Sequence, residues 1–168
     1  MKIVHHREAD KIFLIDFSNL CYVTHFGYQN AFKDGTYIGH VYGFIEKLHL
    51  LTKKYTGMKV ALVFAFDNWP KRKHELFPEY KAGRPKMEFD PRPDVKKMIR
   101  YFNCSVIEEE SEEADDVIAT FCKEHLTSIV NIDIVTSDKD LWQLAWQRNV
   151  RVLDPMKKMY IGKGDVLD

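Results

Sequence analysis

Carboxylates carry the chemistry that this sequence offers most plainly. Three short apolar runs each bring an aspartate to their end: KIFLIDFS holds Asp16, VALVFAFD holds Asp67 and IDIVTSD holds Asp138. Two denser groups follow the same theme. Glu108–Asp116 reads EEESEEADD, with Glu113, Asp115 and Asp116 leading into an apolar stripe, and Asp138 is followed two residues later by Asp140. One aspartate at a strand end most often caps the next helix. Three of them, joined by an adjacent Asp-Asp pair, are hard to explain by capping. Glu112 with Asp115, and Glu113 with Asp116, stand three residues apart and can share a helix face. Crowded carboxylates repel one another. Hard divalent cations such as Mg²⁺ or Mn²⁺ take oxygen ligands and relieve that repulsion. Two such ions roughly 4 Å apart can hold a phosphodiester, activate water and stabilise the leaving oxygen.

A basic segment stands directly before the acidic one. The 168 residues carry 25 Lys+Arg and 25 Asp+Glu, for a net charge of zero. Residues 71–100 hold 10 basic and 5 acidic side chains, whereas residues 101–120 hold no basic and 7 acidic ones. The neutral total is therefore a cancellation between neighbours. Residues 68–93 contain Pro70, Pro78, Gly83, Pro85, Pro91 and Pro93. This stretch is too long for a connecting turn, and reads as a functional loop or arch inserted between elements. Its basic side chains suit phosphates. Trp69, Phe77 and Tyr80 offer faces to unpaired bases. An acidic metal pocket beside a basic, aromatic arch points to chemistry on a nucleic-acid backbone.

The elements that must position these residues alternate. The three apolar runs are the right length for buried strands. Cys104–Ile107 and Val150–Leu153 read as further strands, and Met159–Gly162 as an edge strand. His40–Tyr55 reads as a helix with Val41, Phe44, Ile45, Leu48 and Leu51 on one side. Asp94–Phe102, Asp115–Leu126 and Asp140–Trp146 have helical spacing too. Strands alternating with helices predict an α/β fold, with a mainly parallel central sheet flanked by helices. Ligands then gather outside the carboxyl ends of the strands. No run approaches the ~20 apolar residues of a membrane span. Met1–Asp10 has no apolar core and does not read as a signal peptide. Three cysteines without a C-x-x-C pair read as reduced thiols, with neither a disulfide framework nor a zinc site.

The ordered set LIDFSN, FAFD, HELFPEYKAGR, EEADDVIA and TSDKDLWQL resembles the phage and bacterial 5′→3′ exonuclease and flap endonuclease family. That family includes the 5′-nuclease domain of bacterial DNA polymerase I and has a PIN-like fold. The likeness runs from about Lys11 to Gly162. It implies one catalytic domain over residues 1–168, with 68–93 as the arch. It also implies cleavage of DNA at 5′ ends or 5′ flaps, dependent on Mg²⁺ or Mn²⁺ and using two ions, with RNA–DNA hybrids and RNA primers among the substrates. The cell compartment it implies is the cytoplasm of a bacterium or phage-infected cell. By motif, Asp16, Asp67, Glu113, Asp115, Asp116, Asp138 and Asp140 match the metal-site acids. Lys81, Arg84 and Tyr80 match YKAGR at the base of the arch, and Arg72 and Lys73 stand beside it. Lys81 would stabilise charge growing on the phosphate, and Arg84 would hold a phosphate in a forked contact.

The match has departures. Phe17 stands where the family usually has Gly, Val23 where it has Arg, and Lys73 where it has Arg before HEL. The family also continues into a helical, duplex-gripping part with a further Asp pair. These 168 residues lack that part, and neither Asp165 nor Asp168 matches the pair. Two alternatives to a self-sufficient nuclease follow. One is the catalytic half of a split enzyme, completed by a partner chain. The other is a nucleic-acid-binding module with little or no cleavage. A haloacid-dehalogenase-type phosphatase needs a second aspartate two residues after the first, and Ser18 stands there.

Overall fold

The computed structural model describes residues 2–3, 6–83 and 87–166. In chain order the elements are β1 (Lys2–Ile3), β2 (Lys11–Asp16), α1 (Phe17–Gly27), β3 (Phe32–Lys33), β4 (Thr36–Tyr37), α2 (Gly39–Thr52), β5 (Lys59–Ala65), α3 (Lys71–Leu76), α4 (Arg92–Ile99), β6 (Ser105–Ile107), α5 (Ala114–Glu124), β7 (Asn131–Val135), β8 (Val150–Asp154) and β9 (Met159–Ile161). A 3-10 helix at Lys139–Trp146 joins β7 to β8. β5, β2, β7 and β8 lie side by side and run parallel. β1 and β6 both pair with the free side of β5, and β9 closes the far edge antiparallel to β8. β3 and β4 form a separate two-stranded hairpin.

The strands read as near-continuous apolar runs because both faces of the sheet are covered. Ile12, Leu14, Val63, Ile132 and Val152 face the side where α5 packs with Ile118 and Cys122. Phe13, Ile15, Leu62 and Phe64 face the other side, beneath Leu20 of α1, Phe44 and Leu48 of α2 and Val95 of α4. Fully burying each such side chain stabilises the fold by about 1.5–3 kcal/mol. The mainly parallel sheet between helical layers is the predicted fold class. Among the described residues no helix is long and apolar enough to cross a membrane.

Three local expectations need correction. The first apolar run, read through Ser18, ends as a strand at Asp16, and Phe17 and Ser18 open a helix instead: the Asp16 carboxylate accepts from the Asn19 N–H at 3.0 Å and starts α1 there. Segment 68–93 is not all loop, since α3 forms within it. Pro70 precedes that helix and Pro78 follows it, and the KRKHEL between them contains no helix breaker. On α2, Ile45 faces solvent at 42% exposure, while Gly39, His40 and Gly43 are buried. Tyr28 explains this. Its ring lies so close that a Cβ on Gly43 would come within 2.4 Å of it, so only glycine fits. The Tyr28 hydroxyl donates to Glu46 on the same helix.

The strand order fixes where a ligand can sit. From β2 the chain moves outward to β5 and β6, then returns to β7 on the other side of β2. The switch point therefore falls between the carboxyl ends of β2 and β7, where an open sheet leaves a crevice.

Candidate active site

Asp16 and the Asp138 turn stand at that crevice. Asp16 ends β2 and is only 6% exposed. Its second oxygen accepts from the Thr136 hydroxyl at 3.0 Å, directly after β7. The same hydroxyl accepts from the Asp138 N–H at 3.1 Å. Asn19 accepts from the Ser137 N–H at 2.9 Å. Thr136 and Asn19 thus tie β2, α1 and the Asp138 turn into one rigid rim. Sequence reasoning missed both; their signals were the Asp-to-Asn capping spacing and the Thr before Ser-Asp.

Asp67 stands two residues past β5 and is exposed. Its carboxylate accepts from the Ala114 N–H at 3.0 Å, at the start of α5 where the helix dipole favours negative charge. Glu113 is the residue before α5, and Asp115 and Asp116 lie in its first turn. Glu112 lies outside that helix, so the expected Glu112–Asp115 face does not form. Asp138 caps the 3-10 helix and accepts from the Asp140 N–H at 2.9 Å, while the Asp140 side chain is exposed.

Electrostatics separate the acids into groups. Burial pushes the Asp16 carboxyl up to about 7, and the charges of Asp115 and Asp67 add to the rise. Burial likewise raises Asp115 to about 6, with Asp138 and Asp67 contributing. The charges of Asp67 and Asp115 therefore reach Asp16, and those of Asp67 and Asp138 reach Asp115. Asp116 points toward Lys73 and lines a groove with Glu108, Glu109 and Glu112.

The arch side chains reach into this acidic rim. Lys73 on α3 donates to Glu113 at 2.8 Å and to Asp116 at 2.5 Å. The Tyr80 hydroxyl donates to Glu113 at 2.8 Å, and Lys81 donates to its other oxygen. Burial works against charge on Glu113, but hydrogen bonds from Lys73, Lys81 and Tyr80 prevail and hold its carboxyl down at about 2. Burial also opposes the Lys73 charge, and its bonds to Asp116 and Glu113 overcome that and push its pKa up. Lys81 has left-handed backbone at φ 58°, in a turn closed by the Ala82 N–H donating to Glu79 at 3.0 Å. Arg72 is exposed on α3. Arg84 lies outside the described residues.

The donor set suits a hard divalent cation, since every candidate ligand is a carboxylate and two of them are raised by burial and mutual repulsion. Among the described residues, no group of three His, Cys, Asp or Glu side chains is arranged to hold a metal ion. Glu113 is instead engaged by two ammonium groups and a phenol.

Known proteins share this framework. Residues 11–168 match the family of the 5'-3' exonuclease, N-terminal resolvase-like domain. DNA polymerase I of Rhizobium leguminosarum is 33% identical over 181 residues, covering 99% of this chain and 18% of its own length. The 5'-3' exonuclease of Aquifex aeolicus is 31% identical over 162 residues, covering 93% of this chain and 55% of its own. This chain thus spans well under two thirds of either relative. Among solved structures, T5 5'-exonuclease with bound zinc ions superposes with a TM-score of 0.63 at 16% identity, over 90% of this chain and 58% of that one. The catalytic core of Rad2 in complex with DNA substrate superposes at 0.53 and 20% identity, over 95% of this chain and 48% of that one. At such identities the likeness is one of fold.

Proposed function

The chain belongs to the family of the 5'-3' exonuclease N-terminal, resolvase-like domain, and from that premise we propose that it is a divalent-metal-dependent 5′ nuclease hydrolysing DNA phosphodiesters. One observation carries the reading. Thr136 joins Asp16 to the Asp138 turn at the switch point of the sheet, Asp67 is held on the start of the helix that carries Asp115, and the arch lysines Lys73 and Lys81 stand beside these acids on Glu113. Opposite charges side by side suit a substrate that brings phosphate to cations.

Asp16, Asp67, Glu113, Asp115, Asp116, Asp138 and Asp140 would hold the divalent ions. Bound ions would supply Lewis acidity to a phosphodiester oxygen. Thr136 and Asn19 keep the Asp16 carboxylate oriented, and the Ala114 N–H does the same for Asp67. Lys81 would exchange Glu113 for the phosphate and stabilise charge developing there. Lys73, Arg72 and Arg84 would track neighbouring phosphates, and Tyr80 would flank the strand. Substrates under this reading are DNA with 5′ ends or flaps and RNA–DNA hybrids. A partner chain that grips duplex would add affinity without changing these roles.

The test is a panel of 5′-labelled flap, nicked, single-stranded and RNA–DNA hybrid substrates with Mg²⁺, Mn²⁺ or chelator. The expected result is ion-dependent release of short 5′ products, strongest on flap or nicked DNA. Products that persist in chelator, or fail to appear on every substrate, contradict the reading.

A further inference from the structure

A cleft of about 460 Å³ opens beside α3, lined by Trp69, Pro70, His74, Tyr80, Lys81 and Glu113. Two of its residues form a flat stack. The Trp69 and His74 rings lie 4.0 Å apart with planes only 6° from parallel. Tyr80 meets His74 edge-on at 5.6 Å. Trp69 is 67% exposed, an unusual position for the largest apolar side chain. Its exposure is not looseness. The preceding Asn68 donates its N–H to Glu112 at 3.0 Å and its side-chain amide to Glu109 at 2.9 Å. The following turn is closed by the Lys71 N–H on the Trp69 carbonyl at 2.8 Å and the His74 N–H on that of Pro70 at 3.1 Å. The backbone on either side of Trp69 is thus fixed, and its indole is stacked on an imidazole while most of it meets solvent.

The geometry points to a nucleobase site: Trp69, seated on His74, stacks one unpaired base of a strand whose phosphate lies at Lys81. Each part has a chemical reason. Every base has a π-face, so a rigid aromatic plane binds unpaired bases without regard to sequence. The cleft is larger than one base, and Lys81 at its border is within a nucleotide's reach of a neighbouring phosphate. A base inside a duplex has both faces covered by its neighbours, so the site favours an unpaired stretch over a paired one. The inference rests on the nuclease reading for the identity of the strand, and its test is one of binding alone.

Duplexes with a DNA or RNA 5′ overhang are bound at equilibrium in chelator, each overhang position being replaced in turn by an abasic unit. One abasic position is expected to weaken binding about 5- to 100-fold. Trp69→Ala should weaken the intact strand by a similar factor and make that abasic position neutral. Trp69→Phe should keep the affinity. Binding should quench tryptophan emission in the wild type, and Trp69→Phe should remove the quench while Trp142 and Trp146 still emit. The DNA and RNA arms tell which strand supplies the base. Equal tolerance of abasic units at every position, or an abasic loss undiminished in Trp69→Ala, overturns the base site and leaves the nuclease reading standing. A wild type that binds no strand overturns the base site, and the cleavage panel then decides the nuclease reading by itself.

Discussion

Lys73 of the arch donates to Glu113 at 2.8 Å, joining residues forty positions apart and setting an ammonium group on the border of the acidic crevice. Lys81 makes a second such contact with the same carboxylate. In the proposed enzyme the arch lysines and a divalent ion compete for this acid. Lys73→Ala removes one competitor and one repelling charge. It should bind Mn²⁺ about 3- to 10-fold more tightly in calorimetry, a change typical of coupled sites. Unchanged or weaker ion affinity would show that Lys73 and the ion do not share Glu113.

Stability should fall as pH rises in chelator. Asp16 is raised from 3.8 to about 7 in the folded chain, so between those values the folded state holds a proton that the unfolded state has released. That stabilising protonation is lost as pH climbs through 7. Glu113, held near 2, behaves oppositely, but its contribution is lost only below about pH 4.5. The melting temperature in chelator should therefore drop from pH 5.5 to pH 8. Asp16→Asn should flatten the profile and stabilise the protein at pH 8 by about 1–3 kcal/mol. A wild-type profile as flat as that of the variant contradicts this.

A buried ion cluster at the opposite end of the sheet should act on stability alone. Asp133 is fully buried, pairs with Lys11 at 2.6 Å and accepts a forked contact from Arg151 at 3.1 and 3.2 Å. Burial pulls the Lys11 pKa down, and Asp133 counteracts it. Asp133→Ala leaves Lys11 buried without its partner and should cost about 3–5 kcal/mol in urea denaturation. Ion affinity of the folded variant should match the wild type.

Lys81→Ala should slow the chemical step by about 100- to 1000-fold, the scale of losing one group that stabilises transition-state charge. Single-turnover kinetics at saturating substrate isolate this step. A variant that loses affinity but keeps its single-turnover rate would mark Lys81 as a binding residue only.

The sheet was legible from three apolar runs, because burial on both faces leaves little room for polar residues in Lys11–Asp16, Lys59–Ala65 and Asn131–Val135. Helix α1 was not, since capping was weighed for Asp16 as for any strand-end aspartate but no apolar periodicity marked the residues that follow it as a helix. Ile45 was misjudged because Tyr28, distant in sequence, turns the glycine side of α2 inward. Within the candidate site, aspartates at strand ends could be read from pattern alone. Their supports could not: the Thr136–Asp16 bond spans 120 positions, and the lysine contacts to Glu113 arise only when the arch folds back.

If the site carboxylates hold the ions for phosphodiester hydrolysis, Asp67→Asn should disable cleavage without unfolding the protein. An asparagine there keeps an acceptor for the Ala114 N–H, so α5 retains its start while one negative charge is lost. With Mg²⁺ and a 5′-flap DNA, the wild type should cleave, and Asp67→Asn should cleave about 100-fold more slowly or worse while still binding the DNA. Equal rates for the two proteins, or no cleavage by the wild type, would contradict it.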